Sequence, residues 1–100
     1  DRKKEIIVNL GGDNISPSKI ENILCLNEKI KQSFVYGDKK TYLVALIVSE
    51  SDENKKEIEF YIENLNKTLS LVEKVRKFKL IKEELISFLL NIDLFFSMKS

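Results

Sequence analysis

The sequence predicts a small α+β domain: a mostly antiparallel sheet of three main strands plus an N-terminal hairpin, with helices packed on it. Three observations carry this. A chain of 100 residues, 43% hydrophobic and 33% charged, has the size and mixture of one globular domain. Two β-type runs, residues 30–36 and 42–48, flank a polar turn. Stretches with helical apolar spacing lie on either side of them.

In chain order, Glu5-Ile6-Ile7-Val8 is a short β-rich run that stops at Asn9-Leu10-Gly11-Gly12-Asp13-Asn14, a strong loop signal. The glycine pair implies a positive φ or a close approach to the backbone. Ser16 suits a helix N-cap and Pro17 the first helical position, where a missing N–H costs nothing. Ile20, Ile23 and Leu24 follow at helical spacing, which predicts a helix over residues 17–25. Residues 37–41 join the next two runs as a hairpin loop. The second run, residues 42–48, is apolar throughout and is expected to be a central strand covered on both faces. Ser51 and Asp52 are N-cap candidates for a helix whose apolar stripe is Ile58, Ile62, Leu65 and Leu69. Residues 75–82 alternate loosely, with Phe78 and Leu80 on one face, and read as the third strand of the sheet.

Composition excludes several kinds of chemistry. The formal charge of +1 comes from 17 basic and 16 acidic side chains, without the basic excess of a dedicated nucleic-acid binder. A lone Cys25 supports neither a disulfide framework nor a thiolate zinc site. With no histidine, the Ser-His-Asp and Cys-His triads and the usual general base near neutral pH are absent. The longest apolar stretch, residues 85–96, contains Asn91 and Asp93 and is too short to span a bilayer. The N-terminus does not read as a signal peptide, and the expectation is a cytoplasmic, soluble domain. A chain that begins Asp1-Arg2-Lys3-Lys4 and runs straight into structure is expected to be a piece of something longer.

Three blocks stand together: Asp1-Arg2-Lys3-Lys4-Glu5-Ile6-Ile7-Val8, then Gly11-Gly12-Asp13-Asn14-Ile15-Ser16-Pro17, then Ile20-Glu21. They resemble the hinge motif of adenylate-forming enzymes, in the form seen in long-chain fatty-acyl-CoA synthetases. Phe34-Val35-Tyr36-Gly37-Asp38-Lys39-Lys40, followed by the run at 42–48, looks like the same family's C-terminal domain, and the resemblance covers roughly residues 1–84. It implies that residues 1–100 form the mobile C-terminal domain of a larger ligase. That ligase joins a carboxylate to ATP and then passes the acyl group to coenzyme A. It further implies ATP/AMP, Mg2+ and CoA in the full-length enzyme, none bound by this domain alone. The implied partners are a separate N-terminal domain, a fatty acid substrate and CoA, with no nucleic acid. Peripheral membrane association of the parent protein belongs to the same expectation.

By position in the motif, the resemblance makes Lys4 the hinge residue and sets Arg2, a fixed fork of donors, toward the adenylate ribose. Gly11 and Gly12 become the loop lining the pantetheine passage, where a thin amide chain needs backbone at close quarters. For Arg2 and Lys4 the plain alternative is a solvated charge run, and for the glycines an ordinary hairpin turn. Glu21 is a structural helix residue near the loop. Lys39 and Lys40 either meet a phosphate of coenzyme A or form a solvated turn.

The tail departs from the family pattern. After Glu83-Glu84, residues 85–100 hold no Gly and no Pro, and nine of the twelve side chains at 85–96 are apolar. Either Lys99, in Ser97-Met98-Lys99, stands where the catalytic adenylation lysine belongs, or the tail is a replaced end that covers a sheet face. Outside the resemblance stands a stand-alone α+β interaction module without catalysis. A small phosphate- or nucleic-acid-binding domain is the weakest reading, given the neutral charge.

Overall fold

A computed structural model describes residues 6–82. It contains a two-stranded antiparallel ribbon, β1 (Ile7–Val8) with β2 (Asn14–Ile15), then helix α1 (Pro17–Leu24). A three-stranded sheet follows, ordered β3 (Gln32–Tyr36), β4 (Leu43–Val48), β5 (Val75–Ile81), with helix α2 (Lys55–Asn66) crossing between β4 and β5. The order hairpin, helix, strand, strand, helix, strand is the one the sequence predicts.

Strands β3 and β4 pair antiparallel from Gln32↔Val48 to Tyr36↔Val44. Strand β5 joins β4 in parallel, because a helix-length crossover returns the chain to the same end of the sheet. The sheet is therefore mixed, with two of the three strand pairings in the fold antiparallel. A register irregularity at Leu43/Val44 explains the loose alternation of β5. Leu43 pairs Val75 and Val44 pairs Lys77, so Arg76 is the extra residue. Beyond it Phe78 lies opposite Ala45 and Leu80 opposite Ile47, both packed against the core, as the sequence suggested.

Strand β4 is the centre of the molecule. Leu43, Ala45 and Ile47 are buried beneath the two helices, with Ile20 and Leu24 from α1 and Ile58, Ile62 and Leu65 from α2. On the opposite face of β4, Val48 is buried while Val44 and Leu46 are half-buried, so the second face is covered only in part. Leu69 lies beyond the end of α2 yet packs against the same core.

The helix ends follow local chemistry. Ser16 caps α1, its Oγ accepting from Lys19 N at 3.4 Å, with Pro17 in the first turn. Ser51 caps a 3-10 turn, Asp52–Asn54, that precedes α2, accepting from Glu53 N at 3.1 Å. That turn delays the helix to Lys55. A second 3-10 turn, Leu71–Glu73, is closed by a capping box between Ser70 and Glu73. Lys19 Nζ lies 2.8 Å from Glu73 Oε2, and this bond, with that from Ser70, holds the Glu73 carboxyl below the usual carboxylate range.

Candidate functional site

The β1–β2 connection is a three-residue hairpin loop. Asn9 N donates to Asp13 O at 3.1 Å, and Gly12 N donates to Asn9 O at 3.0 Å. Gly11 sits third in that turn without a positive φ, whereas Gly12, just after it, has φ +86°. This is a type I turn followed by a left-handed residue, a common three-residue hairpin geometry. The Asn9 side chain locks the loop base: its Oδ1 accepts from the Asp13 backbone N at 2.8 Å, and its Nδ2 donates to Asp13 Oδ2 at 3.2 Å.

The two glycines are thus not equivalent. At Gly11 a Cβ would make ordinary contacts, 3.6 Å from Asp13 Oδ2 and 3.7 Å from Asn9 Oδ1. At Gly12 a Cβ would meet nothing within 4 Å, so the left-handed backbone there borders open space. The ribbon is anchored from beneath by Ile7 and Ile15, 3% and 2% exposed, while Val8 and Leu10 face outward.

A second loop, absent from local sequence signals as a neighbour, closes against this one. Gly37 to Lys40 is a turn in which Lys40 N donates to Gly37 O at 2.9 Å and Lys39 takes φ 61°. Lys39 N donates to Val8 O at 2.8 Å, and Leu10 N donates to Lys40 O at 2.9 Å. Asp38 Oδ1 accepts from Val8 N at 3.1 Å. Gly37 is required for another reason: a Cβ there would overlap Leu43 Cδ2 and lie 3.2 Å from the Tyr42 carbonyl oxygen. Beside this turn opens a cleft of about 600 Å³ lined by Tyr36, Asp38, Lys40, Thr41, Tyr42 and Val44. Lys77 Nζ sits 5.8 Å from the centroid of the Tyr42 ring, tying β5 to the edge of the cleft.

Glu21 is a structural helix residue, as the sequence suggested, and it bonds to β3. Its Oε2 accepts from Val35 N at 2.8 Å, and its carbonyl accepts from Ser33 Oγ at 3.1 Å. Val35 lies on edge strand β3, so the carboxylate satisfies an outward-facing ladder N–H and locks α1 to the sheet. Tyr61 Oη donates to Ile23 O at 2.8 Å and fixes α2 to the end of α1.

Of the sequence-derived site residues, the structure brings Gly11 and Gly12 together with Lys39 and Lys40. Arg2, Lys4 and Lys99, and the apolar tail at 85–100, lie outside the described residues. Asp38 is the residue that sequence reasoning missed. An aspartate in a turn is expected to bond nearby backbone, but its partner here is 30 positions away.

Residues 4–96 match the AMP-binding enzyme C-terminal domain family. The chain belongs to this family. The long-chain fatty-acid–CoA ligase FadD15 of Mycobacterium tuberculosis is 31% identical over 104 aligned positions, which take in 80% of this chain. Long-chain fatty-acid–CoA ligase 1 of Cavia porcellus is 40% identical over 53 positions, 52% of this chain. The domain spans 17% of the first relative's length and 8% of the second's. Its fold is similar to the A domain of carboxylic acid reductase from Segniliparus rugosus, solved with AMP and a co-purified carboxylic acid. That similarity has a TM-score of 0.67 at 21% identity and covers 83% of this chain and 15% of that one. An acyl-CoA synthetase from Brucella canis is similar with a TM-score of 0.57 at 18% identity, covering 83% and 16%. The chain therefore spans only a small part of its relatives' length, and its α+β fold is similar to that of part of these adenylate-forming structures.

Proposed function

We propose that the chain is the mobile C-terminal domain of an ATP-dependent fatty acid–CoA ligase, which adenylates a carboxylate and then forms the CoA thioester. The 31% identity to a long-chain ligase, extending over four-fifths of the chain, is the observation that carries this reading. In it, Lys4 is the hinge about which the domain turns, absorbing the φ/ψ change at the boundary. Arg2 holds the ribose of the adenylate. Lys99 either contacts the acyl carboxylate and phosphate or belongs to a tail that has lost that chemistry. The parent enzyme of this reading is cytoplasmic and associates peripherally with membrane.

ATP, CoA and fatty acid are the substrates in this reading, and Mg2+ accompanies the nucleotide. Among the described residues no three His, Cys, Asp or Glu side chains gather to hold a metal ion. In this reading the Mg2+ accompanies the triphosphate in the full-length enzyme. The Gly12 loop supports the coenzyme role, since the backbone there is left-handed, bare of side chain and bordered by open space. A pantetheine arm can pass such a backbone at contact distance.

The test uses the domain fused behind the N-terminal domain of a fatty-acyl-CoA ligase. Adenylation is followed by pyrophosphate exchange and thioester formation by acyl-CoA release. Gly12→Asn keeps the left-handed backbone but fills the space beside it. Thioester formation should fall about tenfold or more while pyrophosphate exchange stays within about twofold. Gly11→Ala should change neither. Equal loss of both half-reactions in Gly12→Asn would reduce the loop to a structural turn.

A further inference from the structure

We propose that Asp38 is a positioning residue that fixes the Gly12 loop to the main sheet, so that the loop meets coenzyme A as a rigid part of the domain. This rests on the thioester-forming reading above. The ribbon β1–β2 and the sheet β3–β4–β5 share no strand pairing, so other contacts must hold them in register. Ile7 and Ile15 anchor the ribbon from its inner side. Along the edge of β1 the turn at 37–40 takes both backbone groups of Val8: Lys39 N donates to Val8 O at 2.8 Å, and Val8 N donates to Asp38 Oδ1 at 3.1 Å. Leu10 N, at the entry to the glycine turn, donates to Lys40 O at 2.9 Å. These three bonds act within four residues of Gly12.

Two features mark the turn as built for this contact. Lys39 is the one non-glycine residue with positive φ among the described residues, at 61°. Lysine has no side-chain reason to adopt that conformation, and such strain persists where surrounding bonds over-determine it. The bonds of Lys39 N and Lys40 O to the ribbon, with Lys40 N to Gly37 O, are those constraints. The contact from Asp38 is made by a carboxylate, and a bond to an ionised acceptor is stronger than a neutral one. It is also the one of the three that a side-chain substitution can remove with the backbone left intact. A loop held this way needs no ordering when the coenzyme arrives, and pre-organisation lowers the cost of binding and orienting it.

The experiment has two arms. In the first, amide hydrogen exchange is read on the 100-residue chain. Asp38→Ala should speed exchange at Val8, Leu10 and Lys39 by about tenfold or more, with Ala45 and Ile47 in β4 unchanged. Unchanged exchange at all three positions would overturn the brace. In the second, the fusion enzyme carries Asp38→Ala or Asp38→Asn. Asp38→Ala should lower kcat/KM for CoA about tenfold with pyrophosphate exchange preserved, and Asp38→Asn, which keeps the Oδ1 acceptor, should restore most of it. Equal loss in both half-reactions, or thioester formation at the parent rate despite faster exchange, would overturn the positioning role. A parent fusion with pyrophosphate exchange but no thioester would overturn the coenzyme reading itself, leaving the first arm to judge the brace alone.

Discussion

The three glycines are not equivalent: Gly12 supplies a left-handed backbone, Gly37 leaves room for Leu43, and Gly11 meets neither demand. Alanine at each position separates them. Gly37→Ala drives a methyl into Leu43, which is 1% exposed, and overpacking of that kind costs about 1–3 kcal/mol. Gly12→Ala has space but must hold a Cβ at φ +86°, a cost of about 1–2 kcal/mol. Gly11→Ala has both room and an ordinary φ, and should be neutral or stabilise by up to about 1 kcal/mol through the unfolded chain. Urea unfolding of the chain measures all three. A loss at Gly11 as large as at Gly12 would contradict the turn geometry. The sequence shows the pair Gly11-Gly12 but not which member carries the unusual φ. That assignment depends on hydrogen bonds closing at Asn9 and Asp13, which pattern alone does not place.

At the scale of elements, the start of β5 is set by one amide side chain. Asn66, the last residue of α2, accepts from Val75 N through Oδ1 and donates to Val75 O through Nδ2, both at 2.9 Å. It thereby acts as a short length of strand beside Val75, which is 2% exposed. Asn66→Ala leaves two backbone groups of a buried residue unpaired, each costing about 1–3 kcal/mol, so a total near 2 kcal/mol or more is expected in thermal or urea unfolding. Asn66→Asp keeps the acceptor and should fall between the two. A change below about 0.5 kcal/mol in Asn66→Ala would show that water replaces both bonds at no cost. Elements whose signal is local were legible in sequence: α1 from Ser16-Pro17 and its apolar spacing, β4 from its unbroken apolar run, α2 from Ile58, Ile62 and Leu65. What was not legible depends on distant partners. The delay of α2 by the turn at Asp52–Asn54, the extra residue Arg76 and the parallel entry of β5 are settled by packing between segments far apart in sequence.

At the scale of the molecule, ribbon and sheet are joined through Val8 and Leu10, and in our proposal these bonds make the glycine loop and the turn at 37–40 one body. Family membership was readable because the motif-like blocks are contiguous in sequence, whereas the contact of Asp38 with Val8 required the fold. A rigid body of this kind, proposed to swing between two half-reactions, depends on being tethered. The walls that would bind ATP and the acyl chain in the proposed ligase belong to its N-terminal domain, and rate enhancement comes from differential binding of the transition state by such walls. The 100-residue chain alone, given ATP, palmitate and CoA, should therefore form acyl-CoA no faster than a protein-free blank. Adding a separate N-terminal domain should recover little. A short linker supplies an effective concentration in the millimolar range, so at about 1 μM of each piece the untethered pair should form thioester roughly a thousandfold more slowly than the fusion when the two associate weakly. Raising both pieces to about 100 μM should recover a proportionate part of the rate. Thioester formation by the chain alone would place substrate-binding walls within it, and a mixture as fast as the fusion at 1 μM would show that docking is tight and that the tether does not set the rate of domain alternation.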